Sequence, residues 1–347
     1  MPADVVLGVD LGTSGLKAVA VSVEGAVVAE AEVGCAHAAP RPGWAQVDVA
    51  VWAAACRDVL ARLDLGGRRV RALGLAGQMH GAVLVDATGR AVAPALLWPD
   101  TRATAEVTRW RALPQAERAA LANPLVPGMT GPMLAWLAGH QPAAVERAAA
   151  VLLPKDALRA ALVPGAPLVT DRSDASATLL WDVPADTWSA AAVAAAGAGP
   201  DLLPAVRPAA EVVGELPGGG VPVVVGGADT PLALLAVDVR AGLQVNLGTG
   251  AQVLRPGVPA VAADGPVTHL YADTGDGWYA MAALQNGGSA WAWVAGVLGM
   301  TEAEVFELAA AAPAGAGGVR FAPWLSGERG GVAGPADRAA WTGLSAR

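Results

Sequence analysis

Isoleucine is absent from this 347-residue sequence, and cysteine, tyrosine, phenylalanine and histidine are scarce. Lys17 and Lys155 are its only lysines, so nearly all of the 23 basic side chains are arginine, while alanine and valine abound. That bias is what a GC-rich coding sequence produces, and the arginines therefore carry no argument for phosphate or nucleic-acid binding. A formal net charge of −8 repels polyanions, so no nucleic-acid partner is expected. Cys35 and Cys56 lie in unrelated contexts without C-x-x-C spacing. A disulfide framework, a zinc site and a redox motif are excluded on that ground, and a reducing cytoplasm is the expected location. No basic segment precedes an apolar run at the N-terminus, where Asp4 and Asp10 flank the first apolar residues, so a secretory signal is not expected. The longest uncharged stretch, 277–301, is long enough for a bilayer, but Gln285, Asn286, Gly287, Gly288 and Ser289 suit a turn entering a helix, and no membrane partner is expected.

What is present is 54% hydrophobic, with 43 Gly and 26 Pro, which fits a globular protein of about two domains and no disordered or collagenous chain. Apolar runs at 5–9, 16–23 and 26–33, separated by Asp10-Leu-Gly-Thr-Ser-Gly15 and Glu24-Gly25, predict an antiparallel meander. Asp48 is a plausible N-cap for a helix reaching Leu63, and a strand is expected over 71–76, ending at Gly77-Gln78-Met79-His80-Gly81. Residues 104 to about 210 read as Ala-rich helices with proline turns, and 171–181 as an irregular polar insertion carrying a wall of the substrate site. A strand over 221–225 leads through Gly226-Gly227-Ala228-Asp229 into a helix from Leu232. Strands at 268–273 and 278–284 and helices at 288–299 and 302–312 follow.

The most informative feature is internal: Val-Asp-Leu-Gly-Thr-Ser-Gly at 9–15 returns as Val-Asn-Leu-Gly-Thr-Gly-Ala at 245–251. So long a spacing points to a duplicated domain rather than a solenoid. Each loop offers unencumbered backbone N–H groups and small hydroxyls to a phosphate oxygen, or is an ordinary glycine hairpin. Two such loops facing each other could hold one polyphosphate. Asp10, at the end of a buried strand, is suited to hold Mg²⁺ directly or through water. Asp229 is suited either to accept a hydroxyl proton or to cap a helix. His80 reads as a core residue or as a ligand, and Trp98, Asp100 and Arg102 as a sugar-binding group or as an ion pair beside a core aromatic. Walker A, G-x-G-x-x-G and G-x-S-x-G patterns are absent, as are histidines at i, i+4 spacing.

At these residues the sequence resembles the FGGY carbohydrate kinases, closest to their xylulokinase branch. The resemblance is carried by Gly8-Val-Asp-Leu-Gly-Thr-Ser-Gly-Leu-Lys17, Gly74-Leu-Ala-Gly-Gln-Met-His-Gly81, Leu97-Trp-Pro-Asp-Thr-Arg102, Leu152-Leu-Pro-Lys-Asp156, Gly226-Gly-Ala-Asp229, Val245-Asn-Leu-Gly-Thr-Gly250 and Leu325-Ser-Gly-Glu-Arg329. It implies the actin-like ATPase (ribonuclease H-like) fold of two duplicated α/β domains: residues 1–240 with the sugar site and first phosphate loop, and 241–347 as part of the second domain. It implies ATP and Mg²⁺ as cofactors and a small-molecule ketose, D-xylulose foremost, as partner. By the same resemblance Asp229 is the general base and Asp10 serves Mg²⁺ and phosphate. Gln78, Met79, His80, Trp98, Asp100 and Arg102 bind the sugar, and Gly12, Thr13, Ser14, Lys17, Gly248 and Thr249 bind the nucleotide. Pro99 and Thr230 depart from the family's usual asparagines, which keeps another ketose or polyol open as the substrate. The later Gly-rich adenosine motif is missing, so the second domain is expected to be incomplete, with exposed apolar surface and a homodimer among its outcomes. A catalytically silent sugar-binding protein is the competing expectation.

Overall fold

Strict alternation of apolar residues makes the first strand: in β1 (Asp4–Leu11) Val5, Leu7, Val9 and Leu11 all turn to one face and are buried there. The structure is a computed structural model, describing residues 4–237, 242–328, 331–334 and 336–345. Strands β2 (Gly15–Ser22) and β3 (Val27–Gly34) complete the expected antiparallel meander. Helix α1 (Val49–Ala61) is capped by Asp48, whose carboxylate accepts the Ala50 N–H, and lays Trp52, Cys56 and Val59 into the core. Both cysteines are free and buried, in keeping with the expectation of no disulfide.

The chain then enters β4 (Arg69–Gly77), which lies parallel to β1. After it come α2 (Pro154–Leu162), the short strand β5 (Val169–Asp171) and the single-turn helix α3 (Arg172–Ser176). Strands β6 (Val212–Leu216), β7 (Val221–Val224) and β8 (Gly227–Ala228) lead into α4 (Asp229–Ala236). The sheet runs β6-β7-β4-β1-β2-β3, with β8 also paired to β4. Within it β7, β8, β4 and β1 are mutually parallel, so their carboxyl ends gather at one edge.

Three expectations need correction. The 104–210 region holds strands as well as helices: Ala150–Leu152 pairs with Val83–Val85, and β5 pairs with Ala205–Arg207. Strands this short are set by their partners and leave no period in the sequence. Residues 171–181 are no irregular polar insertion but a buried segment, with Asp171, Ser173, Asp174, Ser176 and Thr178 all shielded from solvent. Helix α4 starts at Asp229 rather than Leu232, because Pro231 falls in the first turn, where its missing N–H has no partner to lose.

The buried segment is polar because it neutralises other buried charge. Lys155, 1% exposed, lies 2.6 Å from Asp156, 3.0 Å from Asp171 and 3.1 Å from Asp174, and Arg159 joins Asp156 at 2.8 Å. Burial alone pushes Lys155 toward its neutral form, but the three carboxylates outweigh it and hold it charged. Burial pushes the Asp174 carboxyl well above the usual carboxylate range, with Asp171 and Asp156 adding repulsion and Lys155 opposing it. Two cations, Lys155 and Arg159, thus meet the carboxyl groups of Asp156, Asp171 and Asp174 in one buried cluster.

The chain folds as two compact units, Met1–Asp238 with Pro259–Gly265 and Tyr271–Trp278, and the remainder. The second contains β9 (Gln244–Leu247) and β10 (Ala251–Pro256), in a sheet with β11 (His269–Ala272) and β12 (Trp278–Leu284) ordered β9-β10-β12-β11, followed by α5 (Gly288–Leu298) and α6 (Glu302–Ala311). The sequence repeat is also a structural one: β2 and β10 begin at the aligned residues Gly15 and Ala251. Burial differs between the copies, since Val9 and Leu11 are 1% and 0% exposed and their counterparts Val245 and Leu247 are 55% and 66% exposed. Among the described residues no helix is long and apolar enough to cross a membrane.

The two lysines make a direct comparison. Lys155→Met strands buried carboxylates and is expected to lower unfolding free energy by about 3–5 kcal/mol. Lys17→Met, which removes an exposed pair with Glu30 at 3.1 Å, should change it by less than about 1 kcal/mol. Urea unfolding of both variants checks the contrast.

Candidate active site

Register places the site. Asp10 and Gly227 both pair with Ala76, from opposite sides of β4, and Leu11 and Ala228 both pair with Gly77. Asp10, the segment 78–80 and Asp229 therefore leave the sheet together, at the carboxyl ends of adjacent parallel strands, where open α/β sheets bind ligands.

Asp229 occupies the first position of α4 and does not cap it; the N-cap is Ala228. The Asp229 Oδ1 accepts hydrogen bonds from the Thr230 N–H at 2.6 Å and the Thr230 hydroxyl at 3.2 Å. Burial, then repulsion from Asp10, pushes its carboxyl up to about 6. Asp10 is raised by burial too. Among the described residues its carboxylate has no hydrogen-bond or ion-pair partner. The turn before Asp229 demands glycine: Gly226 has φ +82°, and a Cβ there would sit 2.2 Å from the Leu75 carbonyl oxygen.

The first glycine loop is braced by residues expected to bind sugar. Trp98 Nε1 donates to the Thr13 hydroxyl at 2.8 Å, and that hydroxyl donates to Gln78 Oε1 at 3.3 Å. Gln78 also donates from Nε2 to the Gly12 carbonyl at 3.3 Å and from its backbone to Leu11 at 2.8 Å. Gln78 is buried, while the Trp98 indole is 41% exposed and Ser14 is open to solvent. Lys17 sits opposite Asp10 in the β1–β2 register and is paired with Glu30.

Met79 is buried and His80 half-buried. His80 adopts φ +64°, a left-handed conformation rare outside glycine, which marks a backbone held against its preference. Its Nδ1 lies 2.6 Å from the Ala177 carbonyl, which can only accept, so Nδ1 carries a proton and donates it there. The ring meets Tyr271 edge-on at 5.8 Å.

Asp100 and Arg102 are satisfied by each other and by the core. The Asp100 carboxylate accepts the Ala45 N–H at 2.7 Å and pairs with Arg102 at 2.8 Å, with side chains 0% and 2% exposed. The Arg102 guanidinium lies over Trp44 at 3.7 Å and Trp136 at 5.0 Å and donates to Gln46. This is the ion pair beside core aromatics that the residues alone left open. In the second unit Gly248 and Thr249 are exposed, and their carbonyls accept the N–H groups of Gly288, Gly287 and Ser289 where α5 begins. Glu328 accepts from Gln285 and Asn286; Arg329 lies outside the described residues.

Sequence reasoning missed Asp171, Ser173 and Asp174, which a polar run of ordinary loop composition concealed. The available signal was Lys155, one of two lysines, set in an apolar helix and followed by Asp156.

Residues 5–236 match the FGGY family of carbohydrate kinases, N-terminal domain. The chain is 32% identical to the xylulose kinase of Escherichia coli K12 over 93% of its own length and 69% of that protein's. It is 33% identical to a glycerol kinase of Ralstonia nicotianae, over 92% and 69%. The crystal structure of xylulose kinase from Rhodospirillum rubrum superposes with a TM-score of 0.87 at 28% identity, over 99% of this chain and 73% of that one. The fold is the actin-like ATPase fold of these sugar kinases, and the chain belongs to the FGGY family of carbohydrate kinases, phosphotransferases that act on sugars.

Proposed function

We propose that this chain transfers the γ-phosphoryl group of ATP to a terminal hydroxyl of a ketose, D-xylulose foremost, with Asp229 as the general base. The observation that carries the proposal is the Asp229 carboxyl, raised to about 6 at the carboxyl end of the parallel strands. A base near the working pH combines sufficient ionisation with a useful affinity for the proton. As the hydroxyl oxygen bonds to phosphorus, its proton passes to Asp229, and the bond between phosphorus and the ADP oxygen breaks. Met79 and His80 line the ketose, with the His80 ring anchored by its Nδ1 bond to the Ala177 carbonyl. Trp98 and Gln78 hold the Thr13 hydroxyl, so the first loop, Gly12 to Ser14, is set in shape before phosphate arrives. Asp100 and Arg102 support the Trp98 segment from the core. Lys17 lends positive charge near Asp10, and Gly248 and Thr249 serve phosphate from the second unit. In this reading residues 1–240 carry the sugar site and first phosphate loop, and 241–347 the second.

The residues fit Mg²⁺. Among the described residues no group of three or more metal-binding side chains gathers. Mg²⁺, however, commonly keeps its waters and takes one or two carboxylates plus substrate phosphates, and the unpartnered Asp10 carboxylate suits that role. When bound, the ion would neutralise phosphate charge.

A second reading, another ketose or polyol as acceptor, draws on Pro99, on Thr230 at the Asp229 carboxylate and on the likeness to a glycerol kinase. A panel of ketoses and polyols in a coupled ADP-release assay separates the readings by which acceptor has the highest kcat/KM. With the preferred acceptor, Asp229→Asn should lose about 10²–10⁴-fold in kcat. Wild-type kcat/KM should fall about tenfold per pH unit below about 6, as the base protonates. Turnover by Asp229→Asn equal to wild type would remove Asp229 from the mechanism.

The same carboxyl makes stability depend on pH. Its folded-state pKa is raised from 3.8 to about 6, so the stability it contributes is complete below about 3.8 and is lost as pH rises through about 6. Asp229→Asn should therefore be more stable than wild type at pH 8, on the order of 2 kcal/mol, with the gap closing by pH 4. Thermal and urea melts at the two pH values measure it.

A further inference from the structure

The buried ion cluster under the sheet reaches the turn that carries Asp229, and it does so at both ends. Upstream of Gly226-Gly227, Arg159 donates from its guanidinium to the Val225 carbonyl, and it also pairs with Asp156. Downstream, the Ser173 hydroxyl accepts the Ala228 N–H at 3.0 Å, one residue before Asp229. That hydroxyl donates its own proton to Asp171 Oδ2, and Asp171 is held by Lys155 at 3.0 Å. Lys155 is itself fixed against β4, since a Cβ on Gly77 would come within 2.8 Å of the Lys155 Cβ. Every side chain in this relay is buried, so water offers no substitute partner if one is lost.

We propose that Ser173 is a positioning residue for Asp229, acting with Asp171, Lys155 and Arg159 as a buried clamp on both ends of the Val225–Ala228 turn. The inference rests on the reading of Asp229 as the base. The turn needs such a clamp because β8 is only two residues long and pairs with β4 on one side through Gly227 and Ala228. Two ladder pairs leave the direction of the following residue poorly restrained. The Ser173 bond fixes the peptide that enters Ala228, and the Arg159 bond fixes the peptide that enters Gly226. The direction of the Asp229 carboxylate at the start of α4 is then set from the core, before substrate binds. Displacement of a reacting group by about 1 Å can lower a rate about 10²-fold, so a clamp on this turn has kinetic weight.

The test compares Ser173→Ala, which deletes the hydroxyl, with Ser173→Cys, near-isosteric but a weak acceptor, in the full chain. Hydrogen–deuterium exchange at Ala228 reads the clamp without turnover, and kcat, KM and the pH profile with D-xylulose and Mg·ATP read its effect on the base. The expected result is faster exchange at Ala228 in both variants. The expected kcat is about ten- to a hundredfold lower in Ser173→Ala and intermediate in Ser173→Cys, with KM for the sugar within about twofold of wild type. The acid limb of kcat/KM, at about 6 in wild type, should move as Asp229 shifts relative to Asp10 and Thr230, the charged and hydrogen-bonding groups that face it. Merely lowered stability would reduce the amount of folded enzyme without moving that limb. Unchanged exchange and kcat in folded Ser173→Ala overturn the proposal. If that variant does not fold, the same result in Ser173→Cys overturns it. Asp229→Asn with wild-type turnover would instead overturn the reading of the base, a result separate from the exchange at Ala228.

Discussion

Everything at the candidate site depends on the parallel pairing of Arg69–Gly77 with its two neighbours. One strand, flanked by Asp4–Leu11 on one side and Gly227–Ala228 on the other, brings residues 10, 78–80 and 229 to a single edge although more than 200 positions separate the first from the last. The pairing also sets two carboxylates, Asp10 and Asp229, close enough for one to raise the other. Outside this arrangement Asp229 would be an ordinary acidic residue at a helix start. Within it, burial and a like charge push its carboxyl up to about 6.

Beneath that edge lies a charged core that an apolar packing could have replaced with equal or greater stability. Lys155 and Arg159 pair there with Asp156, Asp171 and Asp174, so each buried charge has a partner. Its hydrogen bonds, unlike dispersion contacts, are directional, and they end on backbone groups of the turn before Asp229. A second directional network, Trp98 to Thr13 to Gln78 to Gly12, shapes the first glycine loop. Two polar relays, one buried and one reaching the surface, thus fix the two loops between which a sugar hydroxyl and a phosphate would meet in the proposed reaction.

The strands of the N-terminal meander, the Asp48-capped helix and the internal repeat were legible because period-two alternation, a capping residue and a seven-residue motif are local signals, whereas the β9-β10-β12-β11 order of the second sheet is not that of a meander. The start of α4 was not, because Pro231 reads as a helix breaker when its place in the first turn is not known. Residues 171–181 read as a polar insertion because Asp, Arg, Ser and Thr in succession have loop composition. Their burial depends on cations supplied from α2, at Lys155 and Arg159. Asp100 and Arg102 were ambiguous for a similar reason: stacking between Trp44 and Trp136 is invisible until the chain has folded.

By itself the sequence determined the fold class, the duplicated glycine-loop motif and the family, since each rests on short stretches of neighbouring residues. The tertiary structure alone decided which polar residues face a site and which neutralise the core. It also decided that Asp229, rather than any of the other acidic residues, sits raised beside Asp10. The reason is that burial and charge–charge interaction act through space. Residues brought together by strand register carry no trace of that proximity in their separation along the chain.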